Sequence, residues 1–309
     1  MALELASNTG VGFNLEGTVG TADTLVQADL NHIVEGFTEI EGVESISVFG
    51  SAEFDPTPGV VGARPFGCRF TTPLMGGDAG AEPDYAAVLW PACGLPDTAT
   101  PSGVYSTKSA APGTAAGDPR TITIGHSIGS TTMRQGVGCM GGFEIPMTMG
   151  QLVNINWTFL GKLGANASAL TASSLPTALP IAFVNATLSI PHGGSARLNQ
   201  LNIRSNITTI RRPDASDATG YISAINTGRR ITIECDPEFD TGVKTALLAG
   251  TKADLTCALT HAQGTITITA KNCQVVSQTP GDREGIMHSG MTLAPTWDGT
   301  NPAFSIAYA

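Results

Sequence analysis

The sequence has 309 residues, enough for one large or two ordinary domains with a well-buried core. Its 26 acidic and 16 basic residues leave a net charge of -10, which opposes phosphate capture by Lys and Arg clusters and argues against a sequence-specific DNA binder. With 14% charged and 6% aromatic residues beside 37 Gly and 19 Pro, short strands punctuated by turns are expected over long amphipathic helices, and hence a mainly β fold.

Residues 1–35 read as an extended, Gly-rich N-terminal arm without a core of its own, expected to order on assembly. Its opening, MALELASNTG, shows neither a basic nor an apolar stretch, so the expectation is assembly in a cytoplasm, without a membrane partner. VESISVF (Val43 to Phe49) and FGCRFTTPL (Phe66 to Leu74) alternate as strands on either side of the turn-rich DPTPG. PDYAAVLWPAC (Pro83 to Cys93) spaces its apolar residues as a short helix, with Gly94 as its stop. A run of Pro, Thr, Ser, Gly and Ala at 96–119 reads as an insertion loop.

Strands resume at TITIGHSI (Thr121 to Ile128), GFEIPMTM (Gly142 to Met149) and QLVNINWTFLG (Gln151 to Gly161). The small-residue segment 164–180 divides the chain as a linker, so 36–163 is expected as one β-domain and 181–309 as a second. In the second, strands are expected at Asn185 to Ile190, Asn199 to Arg212 and Gly220 to Asp236. A short helix follows at Thr241 to Ala249, then strands in THAQGTITITAKNCQVVSQ, GIMHSGMTLAP and FSIAYA.

The two halves repeat the same order of parts. ARPFGCRF, YAAVLWPAC, TITIGHSI, GVGCMGGF and QLVNINWTF are answered by GRRITIEC, VKTALLAG, TITITAKN, AKNCQVVS and GIMHSGMTL. From Cys139 onward the match runs without gaps at one offset, pairing Cys139 with Cys273, Pro146 with Pro280 and Thr158 with Thr292 (273−139, 280−146 and 292−158 all equal 134). Duplication and the shared habits of β-sequences both produce such a pattern.

Few residues suggest chemistry. GHSIG (Gly125 to Gly129) matches the nucleophile elbow with Ser127 as nucleophile, but that motif needs a strand, a tight turn and a helix, and GSTTMRQGVG is a poor helix. A serine esterase using Ser127 is the enzymatic alternative to a residue in a strand or turn. The six cysteines form no CxxC pair and the five histidines no HxxxH, so they are expected as buried small hydrophobes and surface residues, with no metal or cofactor. Arg211, Arg212, Arg229 and Arg230 form two adjacent pairs. They are either strand-edge charges that discourage wrong pairing or partners of carboxylates such as Asp214, Asp217 or Glu238 in another subunit. Asp282, Arg283 and Glu284 lie in TPGDREG, a solvated turn or an interface or channel position.

GTADTLVQAD (Gly20 to Asp29), ARPFGCRFTTPL and YAAVLWPACGL, followed late in the chain by NTGRRITIECDPEF and QVVSQTPGDREGIMHSGMTL, resemble in their order the tail tube proteins of long-tailed bacteriophages, the siphophages. The resemblance implies a non-enzymatic virion protein, a β-sandwich or barrel flanked by short helices, that polymerises into stacked rings in the host cytoplasm. The rings would enclose a channel through which genomic double-stranded DNA passes without specific binding. Tape measure and tail-end proteins are the implied partners beside further copies of the chain. Such proteins form hexameric rings, or trimeric rings with pseudo-sixfold symmetry where a chain carries two tube domains; the repeat favours the trimer. Another all-β phage part, a tail terminator or capsid decoration protein, is the structural alternative.

Overall fold

The computed structural model describes residues 10–40, 45–46, 60–76, 82–97, 103–107, 113, 118–128, 131–172, 176, 178–191, 197–228, 230–239, 241–261 and 264–309. The fold is mainly β, a β-rich sandwich, with two short α-helices among the described residues. In the N-terminal half the strands are β1 (Gly10–Leu15), β2 (Glu35–Glu39), β3 (Ser45–Ile46), β4 (Val60–Val61) and β5 (Pro65–Pro73). Helix α1 (Ala86–Ala92) follows, then β6 (Val104–Ser106), β7 (Ile122–Ile128), β8 (Thr132–Thr148), β9 (Asn154–Leu163) and β10 (Ala167–Ser168). The C-terminal half contains β11 (Thr187–Ser189), β12 (Gln200–Arg204), β13 (Thr208–Pro213), β14 (Tyr221–Gly228) and β15 (Thr232–Cys235). After α2 (Thr241–Ala249) come β16 (Lys252–His261), β17 (Gly264–Arg283), β18 (Ile286–Ala294) and β19 (Phe304–Tyr308).

Fifteen strands join in one sheet, all neighbours antiparallel, along the path β11-β16-β17-β18-β15-β12-β8-β9-β5-β2 with branches at β1, β6, β7, β10 and β19. Alternation gives each strand one apolar and one polar face. Across the path, the registers line up Ile145, Ile203, Ile233, Leu293 and Val275 in one buried rung, and Phe143, Trp157 and Phe70 in another. One continuous core results, aromatic in the first half and aliphatic in the second. The indole N–H groups are bonded as burial demands: Trp90 Nε1 donates to the Tyr308 hydroxyl at 3.0 Å and Trp157 Nε1 to Thr72 Oγ1 at 2.8 Å.

The same strand order occurs twice. The first half runs β1-β7-β8-β9-β5-β2 and the second β11-β16-β17-β18-β15-β12, each with its helix between the fifth strand of the run and the second. A separate two-stranded sheet sits between the same neighbours in both, β3·β4 and β13·β14. The helices end alike: Leu95 N–H to Trp90 O and Gly94 N–H to Pro91 O in α1, Thr251 N–H to Ala246 O and Gly250 N–H to Leu247 O in α2. The registers carry the sequence offsets. Cys68 pairs with Phe159 as Ile233 pairs with Leu293, which is the residue-for-residue match of ARPFGCRF to GRRITIEC (233−68 = 165) together with the later offset (293−159 = 134).

The sequence segments map onto these elements with some shifts. The second helix spans Thr241–Ala249 as expected, and the first is shorter than Pro83 to Cys93. Asn199 to Arg212 and Gly220 to Asp236 each break into two strands, because β13 and β14 leave the main sheet and pair with each other over β8 and β9. Of VESISVF, only Ser45–Ile46 lies within the described residues. Gly10–Leu15 of the expected arm pairs with β7, and the segment 164–180 carries β10 and an isolated bridge from Pro180 to Met75. Within 96–119, Val104–Ser106 adds a strand to β19.

Candidate assembly surface

The polar face of the main sheet is as continuous as its apolar face. Thr71, Asn156, Glu144, Arg204 and Thr232 form one rung across five strands, and Pro146, Asn202, Glu234, Thr292 and Ser277 the next. Its charges are compensated within the sheet. Arg204 Nε donates to Glu144 Oε1 at 2.8 Å, and Arg204 also lies 3.6 Å from Glu234. Against the opposing effect of burial, hydrogen bonds from Asn202 Nδ2, at 2.9 Å, and from Arg204 hold the Glu144 carboxyl below its ordinary value.

The path ends at β11 on one side and at β2, with β5 beside it, on the other. Within it, the β17–β18 hairpin runs past the pairing with β16, which stops at Gln274, and carries Ile286 and Met287, more than half exposed, at its tip. Large apolar side chains at an exposed hairpin tip are a natural contact surface for another chain.

Asp282, Arg283 and Glu284 occupy this tip. The Asp282 carboxylate accepts the Gly285 N–H at 3.1 Å, Arg283 pairs with Asp236 at 2.9 Å, and Glu284 takes a left-handed backbone (φ 52) beside Gly285 (φ 84), the conformation of a tight two-residue hairpin turn. The arginines lie elsewhere. Arg211 on β13 donates to the carbonyls of Gly161 at 2.9 Å and Phe66 at 2.8 Å, tying its hairpin to β9 and β5. Arg212 and Arg230 are exposed, and Arg229 lies outside the described residues.

Of the proposed carboxylate partners, Asp217 is bonded within the chain, to Lys162 Nζ at 2.6 Å and to the hydroxyl of Thr219. Asp214 accepts from Ser216, and Glu238 pairs with Arg197 at 3.2 Å.

Ser127 does not sit at an elbow. It is buried within β7, which is followed by strand β8, and its hydroxyl exchanges hydrogen bonds of 3.2 Å with the N–H and C=O of Leu170. All six cysteines are buried and unbridged. Among the described residues no three His, Cys, Asp or Glu side chains group as metal ligands, and no helix is long and apolar enough to cross a membrane.

One buried polar centre gave no sign in the sequence. Glu16, just past β1, is 1% exposed, and its carboxylate accepts the N–H groups of Gly20 and Gly138 and the hydroxyls of Thr121 and Thr123 at 2.6–3.1 Å. Burial raises its pKa, with the four hydrogen bonds pulling the other way. It ties the chain just past β1, the start of β7 and Gly138 of β8 to one another.

No curated protein matches the chain. A family model described as phage tail tube protein matches residues 7–299. The chain belongs to this family. It is therefore a structural component of the phage tail tube, a virion tail protein built to assemble with copies of itself, and its long antiparallel sheet and projecting hairpin are read in that light.

Proposed function

We propose that this tail tube protein polymerises into stacked rings that form the DNA conduit of a siphophage tail, with three chains per ring. The observation that carries the reading is the uninterrupted run β2-β5-β9-β8-β12-β15-β18-β17, apolar on its core side and polar on the other. It ends in the β2 edge on one side and, on the other, in the Ser277–Arg283 stretch of β17 beyond its pairing with β16. Joined edge to edge between chains, such runs close into a barrel, and a barrel of many strands is wide enough for an aqueous channel.

The polar side then forms the channel wall. Arg69, Glu144, Arg204 and Glu234 alternate in sign across it, so the wall offers no basic stripe to hold phosphates and DNA slides past. Two tandem tube domains, 36–163 and 181–309, joined by 164–180, give pseudo-sixfold symmetry from three chains; the doubled strand order supports this. The tip residues Asp282, Arg283 and Glu284 serve contacts between subunits, and Arg212 and Arg230 are available for the same. Tape measure and tail-end proteins are the chain's further partners. Assembly takes place in the host cytoplasm.

Negative-stain microscopy of the purified protein tests the reading. Hollow stacked tubes with threefold projections down the axis are expected. Isolated rings would point to a terminator, and a protein that stays monomeric at high concentration and is absent from virion tails would end the proposal.

A further inference from the structure

The chain contains, between its own halves, a junction of the kind a ring needs. In the first half β7 accompanies β8 as far as the pair Ile122 with Cys139. Beyond it, the same side of β8 is taken from Glu144 to Thr148 by β12 of the second half. In the second half β16 accompanies β17 as far as the pair Lys252 with Gln274. From Ser277 to Arg283 no strand among the described residues takes that side, while β18 covers the other. The strand related to β12 is β2, which ends the path.

We infer that β2 of one copy pairs antiparallel with the outer part of β17 of the next, repeating between chains the contact that β12 makes with β8 within one. This rests on the ring-forming reading and names its interface.

The registers fix the pairing. Glu39 stands opposite Cys68 on β5 as Ile203 stands opposite Ile233 on β15, so Glu39 corresponds to Ile203 and Ile40 to Arg204. Phe143 stands opposite Trp157 on β9 as Gln278 stands opposite Met291 on β18, so Glu144 corresponds to Thr279 and Ile145 to Pro280 (279−144 = 135). The ungapped sequence match of 134 is corrected here by one residue, because the register shifts fall at different places, between Val137 and Met140 in the first half and between Val275 and Ser277 in the second. Inside the chain Arg204 faces Glu144. Between chains Ile40 therefore faces Thr279.

Both side chains are exposed in the single chain, Ile40 at 49%. Pro280, which has no N–H to donate, falls within this unfilled stretch. Its side toward β18 lacks no bond, because the Ser289 N–H opposite it is given to Pro237 on the far side. Proline here blunts the edge against indiscriminate pairing while leaving its carbonyl to accept from a partner strand. Because the contact joins two different surfaces, its repetition builds a ring and not a closed dimer.

Cysteine cross-linking of the full chain tests the pairing. The Arg204–Glu144 pair flanks the bond from Ser205 N–H to Phe143 O, so its counterpart is a non-hydrogen-bonded pair. Its Cα atoms would lie about 4.5 Å apart, within reach of a disulfide. Chains carrying Ile40→Cys and chains carrying Thr279→Cys are assembled together under mild oxidation. Covalent dimers linking one chain of each kind are expected, with neither variant dimerising alone. The double variant should give a ladder that ends at the number of chains in the ring. A mixture of Ile40→Cys with Lys244→Cys, on the exposed side of α2, should stay uncross-linked.

Tubes that form normally without the Ile40–Thr279 link would overturn the pairing and leave the tube reading intact. Unmodified protein that never assembles would overturn the tube reading and this pairing with it.

Discussion

Gly138 and Asn272 hold the same place in the two halves of the chain. Each has a left-handed backbone (φ 62 and 47), each precedes a buried cysteine at the sequence offset already noted, and each N–H is bonded to a carboxylate. The carboxylates come from different strands: Glu16 beyond β1 binds Gly138 at 2.6 Å, and Asp254 on β16 binds Asn272 at 2.9 Å. The kink that turns each long strand has the same geometry in both halves but a different partner. Only the first is also crowded, since a Cβ on Gly138 would lie 2.8 Å from the Ser223 Cα on β14. Asn272→Gly should change stability by no more than about 0.5 kcal/mol, whereas Gly138→Asn forces backbone apart and should cost about 1–3 kcal/mol in denaturant titrations.

Glu16→Ala removes the acceptor of four donors in a dry site, and a loss of about 3 kcal/mol or more is expected in the same titrations. Glu16→Gln separates charge from shape. Because burial raises the folded-state pKa above the ordinary 4.5, the stability tied to the protonated form is complete below that value and is lost as pH rises through the folded pKa. The glutamine variant lacks this step. Its stability deficit relative to the native chain should therefore be largest near pH 4 and shrink toward pH 7.

Much of this fold could be read from residue order, and the exceptions share a cause. Apolar alternation marked β5, β7 and β9, and the Ala/Leu runs ended by Gly94 and Gly250 marked both helices, because those signals are local. The start of β8, with Gly136, Gly138, Gly141 and Gly142, carries little alternation and was legible as a strand only through the repeat, where GVGCMGGF answers AKNCQVVS, although it lies at the centre of the sheet. The breaks after Arg204 and Gly228, where β13 and β14 leave the sheet, depend on what lies above them. Glu16 sits between Leu15 and Gly17 as any turn residue might, and the threonines and glycine that bury it lie more than 100 residues away. The tip at Asp282 to Glu284 was legible because a tight turn needs such residues. Arg211 was legible as unusual, but its bonds to two backbone carbonyls were not.

Arg211→Met should cost about 2–3 kcal/mol, since it leaves the carbonyls of Phe66 and Gly161 without a charged donor in a partly buried place. Arg211→Lys should recover less than half, because an ammonium cannot reach both acceptors as the planar guanidinium does. Limited proteolysis should cut β13–β14 faster in both variants, with β8 and β9 still protected.

The cysteines should be inert in the folded chain. Burial pushes the thiols of Cys235, Cys257 and Cys273 up to about 12 and those of Cys68 and Cys139 well above their ordinary value, so almost no thiolate exists at pH 8. Iodoacetamide should modify none of the six within hours under native conditions and all six in guanidinium, as read by intact mass. Rapid labelling of any one would show that its strand opens locally.

The Lys162–Asp217 pair gives the β13–β14 turn its own acid response. Hydrogen bonds from Lys162 first and Thr219 next hold the Asp217 carboxyl down to about 2, below its ordinary 3.8. A depressed carboxylate contributes stability that is present above the ordinary value and lost as pH falls through the folded one, so the window lies between about pH 4 and pH 2. Both groups are partly open to solvent, and screening limits the contribution to about 1 kcal/mol. Lys162→Met should remove most of that dependence and let Asp217 titrate near its ordinary value, which carbon-detected NMR of the carboxyl group reports directly. If Asp217 kept its low pKa without the lysine, Thr219 would be its main partner, and Thr219→Val would then be the variant that loosens the turn.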